Sequence, residues 1–244
     1  MTSPARVEEP RWGFGEVGLG ILGSLVLSTV IGVLIIDLAG WTTTSADGAA
    51  STEVPMWGQG LLQIPLWAGY LGAVWLAGRK GNGVVEDFRL QWRPIDVPVG
   101  LVVGIVTQLL VLPLLYLPIF ELTGTDAEEL SRPAEELAAR AGGTVGWLLF
   151  ALLVGICAPI VEELFYRGLV LRSAEKRGSG RWAAAVLSAL IFAAMHLQVL
   201  QFPGLFVFGL VAGALVVVTG RLGPAITAHV GFNLTTVVVL YLGR

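Results

Sequence analysis

An all-α, polytopic bundle of transmembrane helices is the fold class that this sequence predicts, and three observations predict it. The chain of 244 residues is 55% hydrophobic and only 14% charged, whereas a soluble domain carries about 25% charged residues. Too little polar surface remains to coat a water-soluble globule, so the bilayer is the expected solvent. The apolar residues gather in seven runs, about 17–39, 57–77, 97–120, 144–171, 182–199, 203–219 and 224–242. Each is long enough, or nearly so, to cross a hydrocarbon core of about 30 Å. The segments between the runs alternate in charge.

The alternation sets an expected topology. Segment 78–96 carries Arg79, Lys80, Arg89 and Arg93; segment 167–181 carries Arg167, Arg172, Lys176, Arg177 and Arg181; Arg221 sits in the last short loop. By contrast, 40–56 holds Asp47 and Glu53 with no Lys or Arg, and 121–143 is rich in Asp and Glu. Positive-inside bias then places the N-terminus and the basic loops in the cytoplasm of a multi-pass cell-membrane protein, with the C-terminus outside.

The first run reads as a membrane anchor. Residues 1–17 mix Arg6 and Arg11 with Glu8, Glu9 and Glu16. The apolar run that follows exceeds the roughly 7–15 residues of a signal h-region. Segment 126–141 is polar; Pro133 can start a short external helix there, and a plain loop is the equal alternative. Pro113 and Pro118 are expected to kink or end the third span. No internal repeat is visible, so residues 1–244 read as a single membrane domain, with N-terminal helices over 1–143 and the chemistry-bearing part over 144–243.

Composition also narrows the chemistry. A net charge of −3 offers nothing to nucleic acid, and the single cysteine, Cys157, allows neither an intrachain disulfide nor a cysteine-based metal cluster. Ionisable groups inside spanning helices cost several kcal/mol and usually mark function. Here they cluster: Glu162 and Glu163 in the fourth run, His196 in the fifth, His229 and Asn233 in the seventh. A lone intramembrane histidine is often a packing group. Two histidines beside an acidic pair fit that description poorly.

Spacing sharpens the reading. Glu163 and Arg167 are four apart with the acid N-terminal, the favourable order for a helical ion pair. Adjacent residues do not share a helix face, so Glu162 is expected to point elsewhere and remain free. His229 and Asn233, also four apart, present one polar face. Runs four and five should form an antiparallel hairpin turning at Gly178-Ser179-Gly180. Glu162 and His196 each lie 17 residues from Ser179 and should therefore reach the same depth. His229 fits only if the loop at Arg221 is recessed, which puts the site in the cytoplasmic half of the bilayer.

The segments Glu162-Glu163-Leu164-Phe165-Tyr166-Arg167, Phe192-Ala193-Ala194-Met195-His196 and His229-Val230-Gly231-Phe232-Asn233 resemble the EExxxR, FxxxH and HxxxN motifs of the CAAX-protease and bacteriocin-processing family of intramembrane glutamic endopeptidases. The resemblance covers about 144–243. It implies about eight membrane helices against the seven counted, so a bundle of about seven to eight is expected. It also implies metal-free peptide hydrolysis without a cofactor. Glu162 would be the general base for water, His196 would share that water, and His229 with Asn233 would stabilise the oxyanion. Glu163 and Arg167 would support them, and Phe192 would hold the His196 rotamer. The implied partners are the lipid bilayer and a membrane-associated peptide or protein, lipidated chains included.

Other readings compete. Glu162, His196 and His229 would suit a zinc site with an open position, although HExxH is absent. A catalytically silent binding or immunity protein has no need of five such residues. A proton-relay transporter would need a two-sided pathway. Cys157 as a nucleophile lacks a free polar activator. The tryptophans Trp41, Trp57, Trp92, Trp147 and Trp182 fall near span ends, as in an interfacial belt.

Overall fold

The computed structural model describes residues 11–44 and 50–243; Arg6, Glu8, Glu9 and Asp47 lie outside them. Helix α1 runs Phe14–Leu38, α2 Met56–Lys80, α3 Val84–Asp87, α4 Asp96–Thr123, α5 Ala127–Ala138 and α6 Gly143–Lys176. Then follow α7, Arg181–Met195, α8, Phe202–Thr219, and α9, Gly223–Leu242. Six of these, α1, α2, α4, α6, α8 and α9, are long and apolar enough to cross a membrane. Their outward surface is apolar, as lipid requires: Leu22, Val26, Val30 and Val33 on α1 are all more than half exposed.

Each of the seven runs is helical, but the fifth is short. Helix α7 has 15 residues, about 22 Å of helix, and stops just before His196. That histidine is the C-cap residue of α7 and lies at its end, outside the span in which it was expected. The following Leu197 takes positive φ (56°), which turns the chain toward α8. The expected turn between α6 and α7 is present, with Gly178 at φ 89°, a conformation that glycine adopts without steric cost.

Two expectations need correction, that the third span ends at Pro113 or Pro118 and that a helix starts at Pro133. Helix α4 continues through both Pro113 and Pro118 to Thr123 and ends at Gly124 in the left-handed conformation. A proline ring clashes with the carbonyl four residues earlier. Thr107–Val111, just before Pro113, absorbs that clash by widening into a π-helical turn. The same device precedes Pro159, where Leu153–Cys157 is π-helical. Segment 126–141 does hold a helix, but Asp126 starts it by accepting from the Glu129 N–H at 2.8 Å, and Pro133 lies inside it. A small antiparallel hairpin pairs Thr42–Thr44 with Ala50–Thr52, Thr43 opposite Ser51.

Helix pairs approach closely through small residues, the common solution where lipid supplies no hydrophobic drive between helices. A Cβ at Gly69 of α2 would collide with the α1 backbone at Ser24. One at Gly104 of α4 would strike the Ala228 carbonyl of α9, and one at Gly209 of α8 would lie 2.9 Å from the Ala189 Cβ of α7. Helix α6 is enclosed on all sides along Phe165–Leu171, so it is the central helix of the bundle.

The basic segments converge at one end. There the Arg11 N–H donates to the Lys80 carbonyl, Lys80 pairs with Glu16 at 2.6 Å, and Lys176 donates to the Trp12 carbonyl at 2.6 Å. Segment 81–95 folds over the start of α9: the Leu222 N–H donates to the Arg89 carbonyl and the Gly223 N–H to that of Gln91. Leu222 through His229 are consequently buried. Arg221 is withdrawn with them and forms a two-pronged ion pair with Asp96, 2.8 Å from Nε and 2.5 Å from Nη2. The start of α9 is therefore recessed beneath segment 81–95.

Candidate active site

The central helix supplies three of the candidate residues. After Glu163 it widens again, over Leu164–Val170, into a π-helical stretch that contains Arg167; such stretches are frequent at functional sites. Glu163 and Arg167 are both fully buried and paired, Nη1 to Oε1 at 2.7 Å. Arg167 also donates from Nη2 to the Gly209 carbonyl of α8 at 3.1 Å, and its guanidinium lies 4.5 Å from the ring centre of Phe192. The ion pair inferred from spacing is present. Its satisfaction is incomplete, because Glu163 Oε2 and Arg167 Nε have no hydrogen-bond partner among the described residues.

Glu163 has a second duty that spacing could not reveal. Its Oε1 accepts from His229 Nδ1 at 2.8 Å. A carboxylate only accepts, so Nδ1 carries the proton. The other ring nitrogen, Nε2, then faces Glu162 Oε2 at 3.7 Å. The expectation that Glu162 points away from its neighbour's surroundings is therefore incorrect. Both carboxylates flank the same imidazole, one at each nitrogen, because α9 lies across the two faces they occupy. Glu162 keeps some exposure (18% of its side chain) and accepts no hydrogen bond from any described residue.

His196 is placed by Phe192. Its Nδ1 lies 2.8 Å from the Phe192 carbonyl and its ring packs edge-on against the Phe192 ring at 4.7 Å. A carbonyl cannot donate, so Nδ1 bears the hydrogen and Nε2 presents a lone pair. No hydrogen bond or ion pair joins His196 to Glu162 among the described residues. The hairpin brings them to comparable depth, about 21–22 Å of helix from the basic end in each case. Phe192 also meets the rings of Tyr166 at 5.2 Å and His229 at 5.7 Å. It thus touches both histidines and Arg167.

Asn233, one turn beyond His229, donates from Nδ2 to the Val154 carbonyl at 2.8 Å. Val154 belongs to the π-helical turn that precedes Pro159, where the widened turn leaves a carbonyl for another helix to use. One amide N–H of Asn233 is thereby occupied and one remains. Cys157 closes that same π-helical turn and forms no disulfide. No group of three or more His, Cys, Asp or Glu side chains among the described residues is arranged to hold a metal ion.

Several contributors were invisible in the sequence. Phe208 of α8 packs at 4.7 Å on the His229 ring and at 4.2 Å on Phe232. Tyr70 of α2 shares a 2.8 Å hydrogen bond with the Tyr166 hydroxyl and stacks on Phe165 at 4.3 Å. Only the FxxxH and EExxxR segments could have hinted at aromatic neighbours, and neither points to α2 or α8. An aromatic enclosure of this kind excludes water and strengthens every charge interaction within it.

No curated protein and no solved structure matches the chain. Glu162, Glu163, Arg167, Phe192, His196, His229 and Asn233 all fall within residues 144–235, and that stretch matches the family model for type II CAAX prenyl endopeptidase, Rce1-like.

Proposed function

We propose that the chain is an intramembrane glutamic endopeptidase that hydrolyses a peptide bond of a membrane-associated protein or peptide. The observation that carries this reading is the division of labour between adjacent carboxylates. Glu163 is consumed by Arg167 and His229, whereas Glu162 has no hydrogen-bond donor and retains some exposure. A base must be open to its proton. Glu162 is.

In this reading a water lies between Glu162 and His196. The lone pair of His196 Nε2 accepts one of its O–H groups and orients it, while Glu162 removes the other proton as the oxygen attacks the peptide carbonyl. The carbonyl oxygen becomes an oxyanion, stabilised by the remaining Asn233 N–H and by the Nε2–H of His229 in its imidazolium form, whose Nδ1–H stays on Glu163. Collapse of the intermediate breaks the C–N bond, and protonated Glu162 returns its proton to the leaving amine. Glu163 and Arg167 hold His229 in register. No step calls for a metal or an organic cofactor.

The basic end of the bundle is assigned to the cytoplasm by positive-inside bias. About 21 Å of helix separates Glu162 from Lys176 against about 28 Å from Gly143, so the site belongs to the cytoplasmic half of the membrane. The direct test is a cleavage assay on a membrane-anchored reporter peptide. Glu162→Gln abolishes turnover while the protein accumulates and melts like wild type; wild-type turnover by that variant removes Glu162 as the base.

A further inference from the structure

Helix α7 stops short. Its 15 residues span about 22 Å, less than the roughly 30 Å of hydrocarbon, so the chain turns at membrane depth over residues 196–199. The turn puts Leu197 in the left-handed region, at φ 56°. That conformation is strained for a bulky side chain, and strain of this kind collects at functional sites. The far end of the turn is fastened. The Leu200 carbonyl accepts from the Tyr116 hydroxyl at 2.9 Å, and Gln201 Nε2 donates to the Leu130 carbonyl at 3.0 Å.

Between the helix end and that fastening, a run of polar groups is left over. Among the described residues, the carbonyls of His196 and Leu197 accept no hydrogen bond, and the N–H groups of Gln198 and Val199 donate none. Gln198 Oε1 is buried and likewise has no hydrogen-bond partner. Hydrocarbon can satisfy none of these groups. Non-helical backbone at this depth persists only inside protein or along a hydrated cavity. Leu197 and Val199 are 81% and 92% exposed, so the segment borders open space and not the bundle core.

Position identifies the occupant, because the segment adjoins His196, which orients the attacking water in the proposed reaction. We propose that Leu197, Gln198 and Val199 hold the substrate by its backbone, in an extended conformation. Gln198 Oε1 accepts from a substrate N–H, and the Gln198 and Val199 N–H groups donate to substrate carbonyls. An extended peptide offers both kinds of group along its edge. A helical substrate has already bonded them to one another and cannot make these contacts. The substrate class is therefore a peptide stretch that is free of helix at the cleaved bond. Leu197 and Val199 add apolar contact with its side chains. This assignment rests on the peptidase reading and supplies the groups that hold its substrate.

Binding is measured apart from cleavage, in the full chain carrying Glu162→Gln, by anisotropy of the fluorescein-labelled reporter peptide in detergent. Adding Gln198→Met keeps the side-chain length and removes the amide. It weakens binding about five- to tenfold, the order of one hydrogen bond. It melts no earlier than its parent, because Gln198 Oε1 has no partner to lose in the free protein. The reporter is then N-methylated at one backbone nitrogen at a time around the cleaved bond. One position loses about five- to tenfold in affinity with Gln198 present and little in Gln198→Met, the non-additivity of groups in contact. Equal affinity of the two proteins overturns the proposal, as does an N-methyl loss that is the same in both at every position. Early melting of Gln198→Met also overturns it, since the amide is then structural. Wild type that neither cleaves nor binds the reporter overturns the peptidase reading and this proposal with it. Wild-type cleavage with binding indifferent to Gln198 overturns this proposal alone.

Discussion

His229 Nδ1 and Glu163 Oε1 lie 2.8 Å apart, and the same oxygen receives Arg167 Nη1 at 2.7 Å. One carboxylate oxygen therefore neutralises a buried arginine and sets the tautomer of a histidine on another helix. The three residues form a hydrogen-bonded unit that joins α6 to α9, while the Arg167–Gly209 hydrogen bond extends it to α8. Orientation of an imidazole by a carboxylate behind it, with the opposite nitrogen turned to the chemistry, is a general way of making a histidine act in one direction.

Glu163→Gln is consequently expected to damage both stability and activity. Stranding a buried charge costs about 3–5 kcal/mol, so the variant should melt earlier and accumulate less. Replacing the pair together, as Glu163→Leu with Arg167→Met, should restore much of the stability, because apolar replacement of a buried pair is often neutral. Activity should stay lost, since His229 then has no acceptor. Cleavage at the wild-type rate by a stable double variant would show that the pair has only a structural part.

Asn233→Ala separates oxyanion stabilisation from helix packing. Loss of the Val154 contact alone should cost on the order of 1 kcal/mol of stability and little rate. Loss of an oxyanion donor should slow kcat by about 10²–10³-fold with KM nearly unchanged. Both effects are expected together, since one amide N–H serves each purpose. A variant that melts slightly early yet keeps its kcat assigns Asn233 to packing.

Activity should survive exhaustive chelation and the Cys157→Ser substitution. Glu162, His229 and His196 contribute through hydrogen bonds and proton transfer in the proposed reaction, and the thiol has no step. The measurement is turnover after dialysis against EDTA, with and without added zinc. Inactivation that zinc reverses would replace the water-activating glutamate with a metal-bound hydroxide.

Topology is tested by cysteine labelling in the Cys157→Ser background. With an impermeant maleimide, Lys176→Cys should react only in inverted vesicles or lysed cells, and Glu53→Cys in intact cells. The opposite pattern would reverse the orientation and move the site to the outer half of the membrane.

Hydropathy and charge alone determined the helical class, the seven runs and the turn at Gly178-Ser179-Gly180, because apolar length and loop charge are local properties that the bilayer reads directly. The Glu163–Arg167 pair was legible for the same reason: four residues make one turn. Local spacing could not determine which helix lies across that turn. Adjacent carboxylates on an isolated helix diverge, yet Glu162 and Glu163 meet opposite nitrogens of His229 because α9 packs there through Gly104 and Gly100 of α4. The recessed start of α9, set by the Asp96–Arg221 pair and by carbonyls of Arg89 and Gln91, was equally hidden. So was the aromatic enclosure from Tyr70 and Phe208. Which residues are polar inside the membrane is written in the chain; which of them touch depends on backbone approach between helices distant in sequence, and only the packed bundle decides that.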